Sequence, residues 1–157
     1  MKLYHGTNVN FDKIDFSKSN PFKDFGKGFY LTDIKTQAQA LATKRALLQG
    51  GVPTLLEYDF DEELLTNSSL NVLIFKEATA EWAEFVYNNR NRRIPFKHNF
   101  DIVVGPIADD GVAYLLNRYQ EGSFTIEELA DKLKYLNINN QYFFGTELAI
   151  SFLKRVK

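Results

Sequence analysis

The amino-acid sequence predicts an α+β fold, because short strand patterns and helical patterns follow one another in mixed order. The chain has 157 residues, of which 45% are hydrophobic and 25% charged, a balance that is usual for a protein with one sizeable core. The sequence shows no internal repeat and no Pro/Gly/Ser-rich linker. We therefore expect residues 1–157 to form a single domain.

Five short apolar segments have the pattern of β-strands. One of them, Phe100–Gly105, is almost continuously apolar and is therefore expected to be buried. The polar segment Asn8–Lys23 predicts a long loop, which at this length is typically functional or mobile. The predicted strands are Lys2–His5, Gly28–Thr32, Pro53–Phe60, Phe100–Gly105 and Gln141–Phe144.

Five further segments predict helices, and most of them have a recognisable start or stop. Asp33 is positioned to cap the first helix, which Gly50 and Gly51 should end. Thr125 begins a capping box for the fourth, and Thr146 is positioned to cap the last. The predicted helices are Ile34–Gln49, Lys76–Asn89, Gly111–Gln120 with Gly122 as its stop, the capping-box helix to Lys134, and the helix from Thr146 to Arg155.

Charge and residue types argue against several functional classes. A net charge of −1 gives no global electrostatic case for binding nucleic acid or a membrane. Cysteine is absent and there are two histidines, so we expect neither a disulfide nor a metal site. The N-terminus lacks the pattern of a signal peptide, and no apolar run approaches the roughly 20 residues that span a bilayer. We expect a cytoplasmic protein.

One local exception is the basic cluster Arg90–Arg93, with Lys97 and His98 nearby. It is either a solvated loop or a contact for a phosphate or an acidic partner. Carboxylates form a second group with two interpretations. Asp101 and the pair Asp109-Asp110 can act as a base or orient an acceptor, or they can cap the helix that follows.

A candidate binding site lies in two glycine-containing segments near the N-terminus. His5 and Gly6 end the first strand, and Tyr30 follows the turn Gly26–Gly28. Glycine lets a ligand approach the backbone, so Gly6 can pair with an amide, while the imidazole can bond a ribose hydroxyl. A tyrosine in the second strand can stack on an aromatic ring. Together these segments indicate a site for nicotinamide. The turn is not a phosphate loop, because it lacks the Gly-Lys-Ser/Thr ending.

These segments, with a late strand that begins at Gln141, resemble the ADP-ribosyltransferase superfamily. The chain is more closely similar to a bacterial family within it that is associated with toxin–antitoxin pairs. The similarity covers almost the full length. The matching motifs are Leu-Tyr-His-Gly-Thr at Leu3–Thr7, Asp-Phe-Gly-x-Gly-Phe-Tyr-Leu-Thr at Asp24–Thr32, the Trp-x-x-Phe…Asn-Arg helix at Trp82–Arg90, Asp-x-Val-x-Gly-Pro-x-Ala-Asp-Asp at Asp101–Asp110, and Gln-x-x-Phe at Gln141–Phe144.

The resemblance implies a split β-sheet clamp with surrounding helices and with NAD as co-substrate in the cleft. It matches the diphtheria-toxin-like His–Tyr–Glu branch. By this match, His5 would bond the ribose beside nicotinamide, Tyr30 would stack on the nicotinamide ring, and Gly6 would pair with the carboxamide. Thr7 and Gly28 belong to the same implied cofactor-binding set. In the loop Asn8–Lys23, Lys18 or Lys23 is either a contact for the pyrophosphate or an ordinary surface lysine.

The sequence departs from this pattern at the third position, where Gln141 replaces the triad Glu. In the superfamily that Glu bonds the ribose 2′-hydroxyl and stabilises an oxocarbenium-like transition state. An amide oxygen can accept the same hydrogen bond without adding charge, which lowers its contribution from about 1.5–3 to about 0.5–1.5 kcal/mol. Glu147 is either a stand-in for the missing carboxylate or a residue favoured at a helix N-terminus.

The resemblance therefore implies an NAD-dependent ADP-ribosyltransferase, a toxin that modifies a macromolecular target and has a small helical antitoxin as partner. Three alternatives stay open at this point. The first is a module that binds NAD or ADP-ribose without catalysis, and the second is an NAD glycohydrolase. The third is an interaction protein with an aromatic cleft for a partner peptide.

Overall fold

The computed structural model describes residues 1–134 and 139–156. Within these residues the chain forms five α-helices and seven strands in two sheets, which confirms the predicted α+β class. Short 3-10 helices occur at Phe16–Lys18 and Glu62–Leu65. The elements are β1 (Lys2–Thr7), β2 (Phe29–Leu31), α1 (Lys35–Gln49), β3 (Thr54–Asp59), β4 (Val72–Ile74), α2 (Ala80–Arg90), β5 (Ile102–Pro106), α3 (Asp110–Gln120), α4 (Ile126–Leu133), β6 (Asn140–Phe144), α5 (Glu147–Ile150) and β7 (Lys154–Arg155).

The strands form a three-stranded sheet, β1-β3-β7, and a four-stranded sheet, β2-β6-β5-β4. All pairs are antiparallel except β4 with β5. The sheets meet at a single bridge, in which Tyr4 and Thr32 exchange both backbone hydrogen bonds. Beyond this bridge β1 and β2 diverge, and a cleft opens between them.

The larger sheet has a hydrophobic cluster on each face, because side chains alternate along its strands. Val103 and Phe143 point into a cluster with the helices α2, α3 and α4, which includes the fully buried Trp82. Ile102 and Phe144 point into a second cluster that the smaller sheet covers. The continuously apolar sequence of β5 follows from this burial on both faces, as predicted.

Helix α1 packs directly on β1 at Gly6. A Cβ at Gly6 would lie 2.0 Å from the carbonyl oxygen of Ala38 and 2.9 Å from the backbone nitrogen of Ala42. These two alanines are buried and give the helix a flat contact face. The sequence suggested that a ligand approaches Gly6 closely. On this face of Gly6, a helix makes the close approach.

Most of the predicted helix signals are confirmed. The capping box between Thr125 and Glu128 is present in both directions, and Asp109 caps α3 by accepting from the Val112 N–H. Thr146 caps α5, and Gly50 ends α1 with φ = 83°. These signals depend only on neighbouring residues, so tertiary contacts do not change them.

Other predictions are wrong in ways that have a local cause. Asp33 does not cap α1, because the helix begins at Lys35 and its N-cap position is Ile34, which has no side-chain cap bond. Helix α2 begins at Ala80 rather than Lys76, since Thr79 caps it. The last helix ends at Ile150 and not at Arg155, because the chain turns there into the short strand β7.

Candidate functional site

The strands that carry His5 and Tyr30 meet at one cavity of about 280 Å³, which we call the His5 cavity. It is at the lower end of the roughly 300–1,000 Å³ of typical ligand pockets, so it suits an aromatic ring and its sugar better than a whole dinucleotide. Larger cavities of about 540 and 570 Å³ lie elsewhere and contain none of the three predicted catalytic residues. The His5 cavity is lined by Tyr4, His5, Gly6, Lys23, Tyr30, Leu31, Thr32, Gln37, Ala38, Leu41, Arg45, Ile107 and Gln141.

His5 links the two sheets and keeps one ring nitrogen available. Its Nδ1 lies 2.8 Å from the carbonyl oxygen of Tyr30, and because a carbonyl only accepts, Nδ1 must carry the proton. Its Nε2 is then a lone-pair acceptor, and it has no hydrogen-bond partner among the described residues. Burial lowers the pKa of His5 to about 4, and the charges of Arg45 and Lys23 act in the same direction. The imidazole is therefore neutral at pH 7.

The backbone of Gly6 also faces the cavity. Tyr4 directs its N–H and C=O toward Thr32, at 2.7 and 2.9 Å, rather than toward β3. Because these directions repeat every second residue along a strand, the N–H and C=O of Gly6 point the same way, beyond the bridge. The Gly6 carbonyl accepts one bond, of 3.2 Å, from Nη1 of Arg45. A carbonyl has a second lone pair, so an amide ligand can still pair with this peptide.

Tyr30 presents a ring that is fixed by its hydroxyl. The hydroxyl donates to the Gly26 carbonyl and accepts from the Phe25 N–H at 3.0 Å, which closes the turn around Gly26. Burial raises the pKa of this phenol, so it stays protonated. The ring packs edge-on against Phe143, with centroids 5.2 Å apart, and Nζ of Lys23 lies 5.1 Å from its centroid. A cation thus occupies the place where a ligand ring would stack.

Gln141 reaches the cavity from β6, on the same face of the sheet as Phe143. Its Nε2 donates to Oδ2 of Asp24 at 2.9 Å. An ionised carboxylate only accepts, so the amide nitrogen must face Asp24, and this fixes the orientation of the side chain. The amide oxygen Oε1 has no partner among the described residues, which leaves a second acceptor at the cavity.

Asp24 is a functional candidate that the sequence reasoning missed. Its side chain is 8% exposed and has two further partners, because Oδ2 also accepts from the Ala108 N–H at 2.9 Å and Oδ1 pairs with Arg90. Nε and Nη2 of Arg90 both lie 2.7 Å from that oxygen. A buried carboxylate that accepts from one cation and two neutral donors is held rigidly. It therefore holds Gln141 in place from behind.

Lys23 and Arg45 give the cavity a positive charge that was only partly predicted. Lys23 was one of two lysines proposed for a phosphate contact, whereas Lys18 is exposed outside the lining. Arg45 comes from α1 and was not predicted at all. Burial lowers the pKa of both side chains, as does the Arg45 charge for Lys23. None of the described lining residues is acidic, so the cavity attracts an anion.

Two predicted cofactor-binding residues, Thr7 and Gly28, lie outside the lining of the His5 cavity. The hydroxyl of Thr7 accepts from the Val9 N–H, and the residue is buried beside the end of β1. Gly28 faces β6, where a Cβ would lie 2.3 Å from the Phe143 ring. The glycine is needed there for sheet packing and not for a ligand.

The predicted carboxylates and the basic cluster also resolve into separate roles. Asp101 precedes β5 and accepts from Asn71 N–H and the Thr146 hydroxyl, so it is a structural brace rather than part of an acidic group after the strand. Glu147 is exposed in the first turn of α5 and does not line the His5 cavity. Within the basic cluster, Arg90 belongs to the Asp24 pair.

Among the described residues, no group of three or more His, Cys, Asp or Glu side chains could hold a metal ion. The helices in residues 1–134 and 139–156 are all too short or too polar to cross a membrane.

The chain matches a known protein family. Residues 1–155 match the family described as "Protein of unknown function (DUF3990)". The chain belongs to this family. No curated protein and no solved structure matches it. The family thus adds no activity to the site, and the functional argument rests on the geometry of the cavity.

Proposed function

We propose that this DUF3990 protein binds NAD in the His5 cavity and transfers ADP-ribose from it to a nucleophile on a macromolecule. One observation supports this most: His5, Tyr30 and Gln141 come from three strands distant in sequence, yet they line the same small cavity. Each offers a group that a nicotinamide riboside needs, either a ring face or an unpaired acceptor. The reaction class comes from the resemblance to ADP-ribosyltransferases.

The available atoms define one binding arrangement. The nicotinamide ring would stack on Tyr30, and its carboxamide would pair with the backbone of Gly6. The ribose hydroxyls would donate to Nε2 of His5 and to Oε1 of Gln141, since both atoms are acceptors.

Lys23 has two positions in this proposal. Without ligand, its ammonium lies over the Tyr30 ring. The nicotinamide ring of NAD is itself cationic, so the two cannot share that face. Displaced, Lys23 would join Arg45 in binding the pyrophosphate, which matches the positive lining of the cavity.

In the reaction, the bond between the nicotinamide nitrogen and ribose C1′ breaks, and its electron pair leaves with nicotinamide. The acceptor forms a new bond to C1′ and releases a proton. Positive charge develops on the ribose, so the Gln141 oxygen contributes by accepting from the 2′-hydroxyl. His5 and Tyr30 contribute mainly by orientation.

Asp24 compensates in part for the missing triad carboxylate. Its negative charge lies behind the Gln141 amide, 2.9 Å from Nε2, and polarises that group toward a more negative Oε1. The chain therefore has amide and carboxylate in series where the resemblance would place a single Glu. Arg90 neutralises part of this charge, so we expect slow catalysis compared with a direct carboxylate.

Exchanging the two groups tests this arrangement. Gln141→Glu alone would place two carboxylates in contact, so one would stay protonated, and Asp24→Asn alone would leave Arg90 unpaired. We expect each to reduce nicotinamide release from NAD at least about tenfold. The double variant restores one carboxylate and one amide, and should recover most of the loss. Asp131→Asn, at an exposed position on α4, is the control.

A double variant no faster than the slower single variant would remove Asp24 from the mechanism. Absence of nicotinamide release from the unmodified protein, in the presence of cell lysate, would refute the transferase itself. Labelled lysate components, detected by mass spectrometry after reaction with NAD, are the expected positive result.

The neutral Gln141 favours one second candidate, a module that binds NAD or ADP-ribose without catalysis. NAD would then raise the melting temperature, and His5→Ala or Tyr30→Ala would abolish that shift, yet no nicotinamide would appear. Free ADP-ribose as the sole product would instead indicate an NAD glycohydrolase. If NAD has no effect on the melting temperature, NAD binding in the His5 cavity is refuted, and an interaction protein that binds a partner peptide is the alternative left.

The toxin role and the small helical antitoxin come from the resemblance and remain predictions. Growth arrest on expression, relieved by a short helical protein encoded beside this chain, would support them. His5→Asn, which should bind NAD about tenfold more weakly, is the matched variant and should arrest growth less.

A further inference from the structure

A second cavity, of about 570 Å³, lies on the other side of the Gly26 turn from the His5 cavity. The two cavities share no lining residue, and the hydrogen bond from the Tyr30 hydroxyl to Gly26 lies between them. We call it the Asn89 cavity. Its lining comes from Pro21, Phe22, Gly26 and Lys27, from the segment Pro95–Phe100, and from Asn89, Phe143, Gly145 and Thr146.

Its walls are aromatic. Phe22, Phe96 and Phe100 all line it, and each is half-buried. A phenylalanine that is only half-buried in a cavity offers a flat apolar surface to a flat ligand. Among nucleic-acid ligands, single bases bind such surfaces by stacking.

Asn89 adds one specific polar group to this apolar site. It is 4% exposed, and its Nδ2 donates to the carbonyl of Phe85 at 2.9 Å. That bond fixes the amide, and it leaves Oδ1 without a partner among the described residues. Because Asn89 lines the cavity, Oδ1 is an acceptor to which the N–H of a ligand can donate.

The charges at the rim are all positive among the described lining residues. Lys27 and Lys97 line the cavity and are exposed, and the guanidinium of Arg92 lies 4.7 Å from the Phe22 ring centroid. His98 adds no charge or free acceptor, because Nε2 binds the Phe25 carbonyl and Nδ1 accepts from Phe100 N–H. This rim includes part of the basic cluster that the His5 cavity leaves unused.

We propose that the Asn89 cavity binds a nucleobase that carries a phosphate. The base stacks on the phenylalanine rings, one of its N–H groups donates to Oδ1 of Asn89, and the phosphate pairs with Lys27 and Lys97. This chemistry is shared by a free nucleotide and by a base of a single-stranded nucleic acid. The proposal does not rest on NAD binding, because it uses none of the residues of the His5 cavity.

Fluorescence anisotropy with a labelled deoxyadenosine oligomer tests it on the full-length protein, with AMP and polyphosphate as competitors. We expect saturable binding that the oligomer or AMP displaces and that polyphosphate displaces poorly. Displacement by AMP at a concentration similar to that of the unlabelled oligomer identifies a free nucleotide as the ligand. Tight binding of the oligomer alone identifies a single strand.

Matched variants separate the site from general charge. Phe96→Leu should weaken binding at least about fivefold by removing a stacking ring. Lys27→Gln with Lys97→Gln should weaken it too, and should reduce the salt slope for the oligomer by about 1.4. Phe124→Leu and Lys154→Gln are the controls: Phe124 is a half-buried ring with Lys132 at 5.5 Å, and Lys154 is exposed in β7.

Several results would overturn the proposal. These are failure of the labelled oligomer to bind, equal weakening by the control variants, or displacement by polyphosphate as effectively as by AMP. Loss of oligomer binding in His5→Asn, with binding retained in Phe96→Leu, would instead assign the ligand to the His5 cavity. Since NAD binding is measured separately, failure here leaves the proposed function intact, and the reverse also holds.

Discussion

The two histidines of this chain have closely similar surroundings and different availability. Nδ1 of His5 contacts the Tyr30 carbonyl at 2.8 Å, and Nε2 of His98 contacts the Phe25 carbonyl at 2.6 Å. Both rings pack among aromatic side chains, and burial lowers the pKa of both. The second nitrogen differs, since His98 uses it for Phe100 N–H and His5 leaves it at a cavity.

This comparison teaches that residue type and burial do not separate a structural histidine from a functional one. The two imidazoles fasten the two ends of one segment, His98 at Phe25 and His5 at Tyr30, and the Tyr30 hydroxyl closes that segment between them. Both are therefore structural. His5 alone also keeps an acceptor for a ligand, among the described residues.

The largest expected effect concerns acid stability. The pKa of His5 is about 4 in the folded protein and 6.5 ordinarily. As the pH falls below about 6.5, the unfolded chain takes up the proton first, so the free energy of unfolding decreases until about pH 4. The loss is on the order of 3 kcal/mol for this residue.

Burial lowers the pKa of His98 as well, so its contribution has the same sign. Urea denaturation at several pH values measures the sum. His5→Asn should flatten the curve between pH 6.5 and 4, and an unchanged curve would show that the imidazole is not buried as the structure has it.

The next effect tests the link between the two histidines. Tyr30→Phe keeps the ring and removes the hydroxyl, so the Phe25 N–H loses its acceptor. We expect the free energy of unfolding to fall by about 1–3 kcal/mol. NAD affinity should change less than about threefold, because stacking is retained. Calorimetry measures both, and a variant that loses affinity with unchanged stability would contradict the assignment.

Separating the two nitrogens of each histidine should have an effect of about tenfold. The amide nitrogen of Asn can replace Nδ1, so His5→Asn keeps the bond to Tyr30 and loses the free acceptor. We expect NAD affinity to fall about tenfold with little change in melting temperature. His98→Gln, which keeps a donor near the Nε2 position, should leave NAD affinity unchanged. Equal losses of NAD affinity in the two variants would contradict the different roles of the two histidines.

The smallest effect concerns Lys23. Lys23→Gln removes one cation from the cavity and frees the Tyr30 ring. Loss of a phosphate contact and easier ring stacking oppose each other, so NAD affinity should fall only about threefold, and its salt dependence should weaken. If NAD affinity instead rises several-fold, Lys23 only covers the face of the Tyr30 ring and makes no phosphate contact.

The sequence is informative about the fold where the signals are local. The capping box at Thr125 and the stop at Gly50 need only neighbouring residues, and both are confirmed. Strand β4 was missed because Val72–Ile74 is three residues long and pairs with β5, which lies 30 residues later. Strand β7 was missed because Lys154–Arg155 is two polar residues, whose pairing depends on β3.

The same limit applies to the site. His5, Gly6 and Tyr30 were found because two short segments carry them. Asp24 was missed because its partners Arg90 and Gln141 are 66 and 117 residues away. The signal in the sequence was a carboxylate directly before Phe25 and Gly26. Arg45 has no such signal, since on α1 it looks like any solvated arginine.

Nitrogen-15 NMR of the two histidines, recorded with and without NAD, tests the central claim most directly. The account predicts opposite neutral tautomers at pH 7, with the proton on Nδ1 of His5 and on Nε2 of His98. Addition of NAD should shift Nε2 of His5 and leave both nitrogens of His98 unchanged. A shift confined to His98, or no shift at either residue under saturating NAD, would contradict it.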